Sequence, residues 1–188
     1  MLFALIVVSM AAAVIATPAR LHVGGSDPQA EVVRDFETRV ERYAAMHRGL
    51  EGPLPTVQVS TDMAKVRSAM DALAAEIQAE RKDARRGDMF GDDISRLFRK
   101  RIAGALTPEE WAAILTEREE SDPVIPARIT VNGRWPEGMP FNVVPPQLLA
   151  ALPRLPSELE YRIVGRSLVL WDHHADLIVD FIPGAFTS

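Results

Sequence analysis

Apolar residues along this chain form first one unbroken run, then helical stripes, and finally the alternation that suits strands. Between Leu2 and Ala16 no charge occurs, and Ser9 is the one polar side chain. Thr17, Pro18 and Ala19 follow, a small-residue end to an apolar stretch. That combination predicts a signal peptide over 1–19, cleaved after Ala16 or Ala19, with the exported protein starting near Arg20. No Lys or Arg precedes the run, which leaves a start upstream of Met1 among the expectations. An uncleaved anchor is the alternative. About 16 apolar residues are short against the ~20 that span a bilayer, and no stable membrane span is expected after cleavage.

Beyond a Gly-rich lead-in at 22–28, Val33, Phe36, Val40, Tyr43 and Leu50 recur every three or four residues, with a gap at His47. The spacing predicts an amphipathic helix ending near Gly49. Ser60, Thr61 and Asp62 offer N-caps for a second helix, whose seam is Met63, Val66, Met70, Leu73 and Ile77. Gly87, after Arg85 and Arg86, is expected to end it. A third helix is predicted over 92–105, with Ile94, Leu97, Phe98 and Ile102 inward. The fourth starts at Thr107, with Pro108 in its first turn and Glu110 completing a capping box; Trp111, Ile114 and Leu115 form its buried stripe.

The pattern changes at Pro123. Asn132-Gly133 reads as a hairpin turn between 127–131 and a return beginning at Arg134-Trp135. A short helix is expected over 146–152, and then strands over 158–164, 167–171 and 177–182. Leu159, Tyr161 and Ile163 share one face of the first strand. The expected fold class is α+β: a helical region over 20–122 with about four helices, and a β-rich region over 123–188 forming a small antiparallel meander packed on it as one unit.

Composition narrows the chemistry. The net charge of −5 argues against a general nucleic-acid binder, and the lack of cysteine excludes disulfides, thiolate metal sites and a cysteine nucleophile. Basic residues gather between Arg81 and Arg101 and acidic ones between Glu109 and Asp122, a segregation that suits solvated helix faces more than an anionic partner. Nothing resembles a nucleophile elbow, a phosphate loop or a dinucleotide fingerprint. The one cluster with ligand chemistry is Asp172, His173, His174 and Asp176. Imidazoles and carboxylates on a turn can converge on a divalent metal such as zinc, nickel or copper. The competing reading is a polar β-turn, with the two histidines on opposite faces if the strand continues. His22 and His47 are distant in sequence and suggest no completion of the cluster.

The ending LPSELEYRIVGRSLVLWDHHADLIVDFIPGAF over 155–186 resembles that of an uncharacterised family of small exported bacterial proteins. So do DFETRVERYAAMHR over 35–48, GDMF over 87–90 and VNGRWP over 131–136. This resemblance implies export to the periplasm or exterior and a shared fold, and brings no activity with it. About 30 residues, from Tyr161 through Val164-Gly165-Arg166 to 179–182, are similar to the C-terminal sheet of periplasmic proteins linked to nickel and cobalt homeostasis. The expectation is an exported, non-enzymatic protein that binds a macromolecular partner in the cell envelope. The alternatives are metal binding or sensing, and a hydrolase whose residues come together only in the fold.

Overall fold

A computed structural model describes residues 27–53, 62–112, 129–139 and 144–186 of the 188-residue chain. Helix α1 spans Pro28–Glu51, with the Asp27 side chain capping the amide of Gln29. It continues past the expected end at Gly49 and stops at Gly52. Helix α2 spans Met63–Glu80 and starts where Asp62 caps Ala64. Only the C-terminal half of its seam is buried: Leu73 and Ile77 lie in the core, whereas Met63 is 72% exposed.

The end of α2 corrects the sequence reading. The helix stops at Glu80, well before Gly87. Arg81 leaves the helical path because its guanidinium turns inward, donating to Asn132 Oδ1 (3.0 Å) and the Val179 carbonyl (3.2 Å). The Asn132 amide in turn takes the freed Arg81 carbonyl at 2.6 Å. A helix end thus finds its partner in a distant turn. Gly87 sits at φ +97° in the following loop, a left-handed conformation that glycine tolerates best.

Helix α3 spans Asp92–Ala103 and buries Ile94, Leu97, Phe98 and Ile102, the four residues expected inward. In α4, described over 108–112, the capping box is formed: the Thr107 amide donates to Glu110 (2.8 Å), and the Glu110 amide to Thr107 Oγ1 (3.2 Å). Ile114 and Leu115 lie outside the described residues. Helix α5 is the short segment Pro146–Ala151.

Strands β1 (Leu159–Val164), β2 (Ser167–Asp172) and β3 (Leu177–Ile182) form an antiparallel sheet in sequence order, with a bulge beside Leu170 and Trp171. The α+β class and the meander are as the alternation predicts. Leu159, Tyr161 and Ile163 of β1, with Leu168 and Leu170 of β2, share one core cluster with α1, α2 and α3. Phe36, Phe90 and Phe98 make an aromatic knot there, with centroids 5.2–5.9 Å apart. Trp135 and Met139 cover the opposite face, against Val169, Trp171 and Ile178.

The turn at Asn132-Gly133 forms, with Asn132 at φ 60°, but its partner differs from the expected hairpin. Asn132 and Gly133 exchange backbone hydrogen bonds with Ile178, both 2.8 Å, and Arg134 bridges Leu177, so the turn borders β3. The segment 127–128 lies outside the described residues. A Cβ at Gly133 would collide with Thr130 Oγ1 and meet the Thr130 carbonyl at 2.9 Å. Gly133→Ala is therefore expected to cost about 1–3 kcal/mol of stability, read from urea unfolding. An unchanged midpoint would show that the turn can open without loss. Among the described residues no helix is long and apolar enough to cross a membrane.

Candidate metal centre

Two periodicities bring polar residues into an otherwise apolar interface. Along α1 the buried stripe is Phe36, Val40, Tyr43 and His47, in steps of three or four, so His47 fills the gap in the apolar pattern. One further turn along lies Glu51. Along β2, period-two alternation carries the inward face from Leu168 through Leu170 to Asp172. The last polar residue of that face meets the last polar residue of the helical stripe. His47 and Asp172 are both fully buried.

Asp172 is saturated. Its Oδ2 accepts from the Tyr43 hydroxyl (2.7 Å) and lies 2.6 Å from His47 Nδ1, while Oδ1 accepts from the amides of His174 (3.1 Å) and Ala175 (2.9 Å). An ionised carboxylate only accepts, so His47 Nδ1 must carry the hydrogen. Burial works against charge on His47. The hydrogen bond to Asp172 and the charges of Asp172, Glu51 and Glu158 outweigh it and raise its pKa above the ordinary value. Burial would likewise raise Asp172, yet the hydrogen bonds from His47 and Tyr43 prevail and lower its pKa. Burial, then the Asp172 charge, drives the Tyr43 hydroxyl far above its usual range, so it stays a neutral donor.

With Nδ1 committed, the other nitrogen of His47 faces Glu51, the next residue along the stripe. Nε2 is 3.3 Å from Glu51 Oε2, and His174 Nδ1 is 3.2 Å from Glu51 Oε1. Neither contact has hydrogen-bond geometry, and both nitrogens are buried atoms without a hydrogen-bond partner. One donor atom from each of His47, Glu51 and His174 lies within 4.8 Å of the others. Ligands 2.0–2.1 Å from a tetrahedral ion sit about 3.3–3.4 Å apart; the two spacings here match that value but use different oxygens of Glu51, so a shared ion requires the side chains to draw together. The side chains of Glu51 and His174 are half exposed, whereas His47 is fully buried.

The structure distributes the four residues singled out by sequence. His174 contributes a donor atom to the cluster, placed by the turn that Asp172 Oδ1 holds. Asp172 stands behind His47 as the group that orients it, the role carboxylates play toward metal-bound imidazoles. His173 turns away: its Nε2 is 2.8 Å from the Ser157 carbonyl. Its ring nevertheless meets that of His174 edge-on, with centroids 4.5 Å apart, because the chain turns here and does not continue as a strand. Asp176, at φ 53°, accepts from Trp171 Nε1 at 3.2 Å, and burial raises its pKa.

Sequence reasoning missed His47, Glu51 and Tyr43. The signal for His47 was present, since it occupies a stripe position that an apolar residue would otherwise hold. Arg48 and Glu158 flank the centre, joined at 2.9 Å. Burial would raise Glu158; its own backbone amide and Arg48 overcome that and lower its pKa.

No protein-family profile, no curated protein and no solved structure matches this chain.

Proposed function

We propose that this chain is an exported, non-enzymatic protein that binds a divalent transition-metal ion through His47 Nε2, Glu51 and His174 Nδ1. The convergence on one carboxylate of two imidazole nitrogens that lack a hydrogen-bond partner carries the reading. Nitrogen and oxygen donors of this kind suit zinc, nickel, copper or cobalt and do not suit calcium or magnesium. Asp172 adds the buried carboxylate that fixes the tautomer of His47 and raises its basicity. The apolar N-terminal run supports placing this function outside the cytoplasm. The large apolar side chains exposed among the described residues are Met63 and Leu149, on different helices, and they give a macromolecular partner less support than the metal ligands give an ion.

Zinc titrated into the chelator-treated protein, followed by calorimetry at neutral pH, is expected to bind at one equivalent. Glu51→Gln and His174→Ala, both at half-exposed positions, should each weaken binding by about 10- to 100-fold while leaving the fold intact by circular dichroism. Zinc affinity equal to that of the parent in both variants would overturn the reading.

A further inference from the structure

We infer that Glu158 is a further donor of this metal centre, its Oε2 joining His47 Nε2, Glu51 and His174 Nδ1 on one divalent ion. The inference rests on the metal-binding reading and adds a second carboxylate to it. Carboxylate oxygens and imidazole nitrogens are ordinary zinc ligands.

Glu158 is 4% exposed, and its Oε2 is a buried atom without a hydrogen-bond partner. A buried carboxylate oxygen left unpaired is costly, and a bound cation relieves that cost. Two ties fix where the residue stands. Its Oε1 accepts from Arg48 Nη1 at 2.9 Å, next to His47 on α1. Its carbonyl accepts from the His173 amide at 3.2 Å, next to His174 on the turn. The side chain is thus bracketed by the elements that supply both imidazoles, and its charge acts on His47. The donors of His47, Glu51 and His174 lie within 4.8 Å of one another and Glu158 stands outside that group, so ligation draws its carboxylate toward the ion. The Arg48 tie resists little, because that side chain is 51% exposed and water can replace the carboxylate there. Charge favours the move. Two neutral imidazoles and one carboxylate leave a divalent ion with a net positive charge beside the fully buried His47, and a second carboxylate cancels it.

Zinc calorimetry and cobalt(II) absorption on the chelator-treated full chain separate a ligand from a simple partner of Arg48. Glu158→Gln keeps an oxygen for Arg48 and loses the anionic donor. It is expected to weaken zinc binding about 10-fold or more and to change the d–d bands of bound cobalt. Arg48→Gln breaks the ion pair and keeps both carboxylate oxygens, so it should bind zinc within about 5-fold of the parent. Parent-like affinity and cobalt bands in Glu158→Gln, or the same loss in both variants, would overturn the inference and leave metal binding intact. The unsubstituted protein supplies a check that does not depend on a variant folding. Carboxyl carbon NMR should show two glutamate signals displaced by zinc, and a single displaced signal would overturn the inference. Failure of the parent to bind zinc or cobalt would overturn the metal reading with it.

Discussion

Asp172→Ala is expected to destabilise the metal-free protein by about 3–5 kcal/mol, measured as a lowered urea midpoint at unchanged slope. The carboxylate is fully buried and accepts four hydrogen bonds, from Tyr43, His47, His174 and Ala175. Deleting one member of a buried charged network leaves the others desolvated and unpaired, which is where losses of this size arise. The effect should depend on pH on both sides. Asp172 has a lowered pKa in the fold, so its contribution is present above its unfolded value of ~3.9 and disappears as pH falls through the folded value. His47 has a raised pKa, so its contribution is full below ~6.5 and disappears as pH rises through the folded value. Without metal, stability should therefore peak between those limits, and in Asp172→Ala both limbs should flatten. A variant that kept the parent's pH profile would show that the pair does not anchor α1 to the sheet.

Asp180→Ala should have a comparable cost, about 3–5 kcal/mol, through a different mechanism. Asp180 is fully buried on β3, and its oxygens accept from the amides of Gly87 (3.0 and 3.1 Å), Met89 (2.9 Å) and Phe90 (2.9 Å). Three backbone donors of the loop between α2 and α3 thus have one side chain as their partner. Alanine offers no acceptor and leaves them unsatisfied, and each orphaned buried donor costs about 1–3 kcal/mol. Phe90 is held by this loop against Phe36 and Phe98, so the aromatic knot should loosen with it. Amide exchange would locate the damage: protection lost at Gly87, Met89 and Phe90 first, with β1 and β2 less affected. Uniform loss of protection would argue that the loop is not a separate unit.

Local patterns announced much of this fold and little of its centre. The capping box at Thr107 and Glu110 is readable because all its partners lie within four residues. The meander is readable because alternation and turn residues are both local. Arg81 shows the opposite case. Its helix looked free to run on to Gly87, and what ends it is Asn132, some 50 residues away, a competition that no window along the chain can register. The cluster of His47, Glu51 and His174 failed to show for the same reason. His173 and His174 stand out in the sequence because they are adjacent, although adjacency sends their side chains to different neighbours. The informative signs were two polar residues set inside apolar periodicities, His47 on a helix stripe and Asp172 on a strand face. Each looks like a flaw in its own element until the elements meet.

The distance along the chain between those two residues has a consequence for the order of events during synthesis. His47 lies in the first third, and Asp172 and His174 lie in the last 17 residues. A chain synthesised from its N-terminus delivers α1 long before the hairpin that carries Asp172 and His174. Throughout that interval His47 has neither a carboxylate nor a second imidazole beside it, and on the proposed reading the nascent protein lacks a complete ligand set. The same reading expects truncated products to bind no metal.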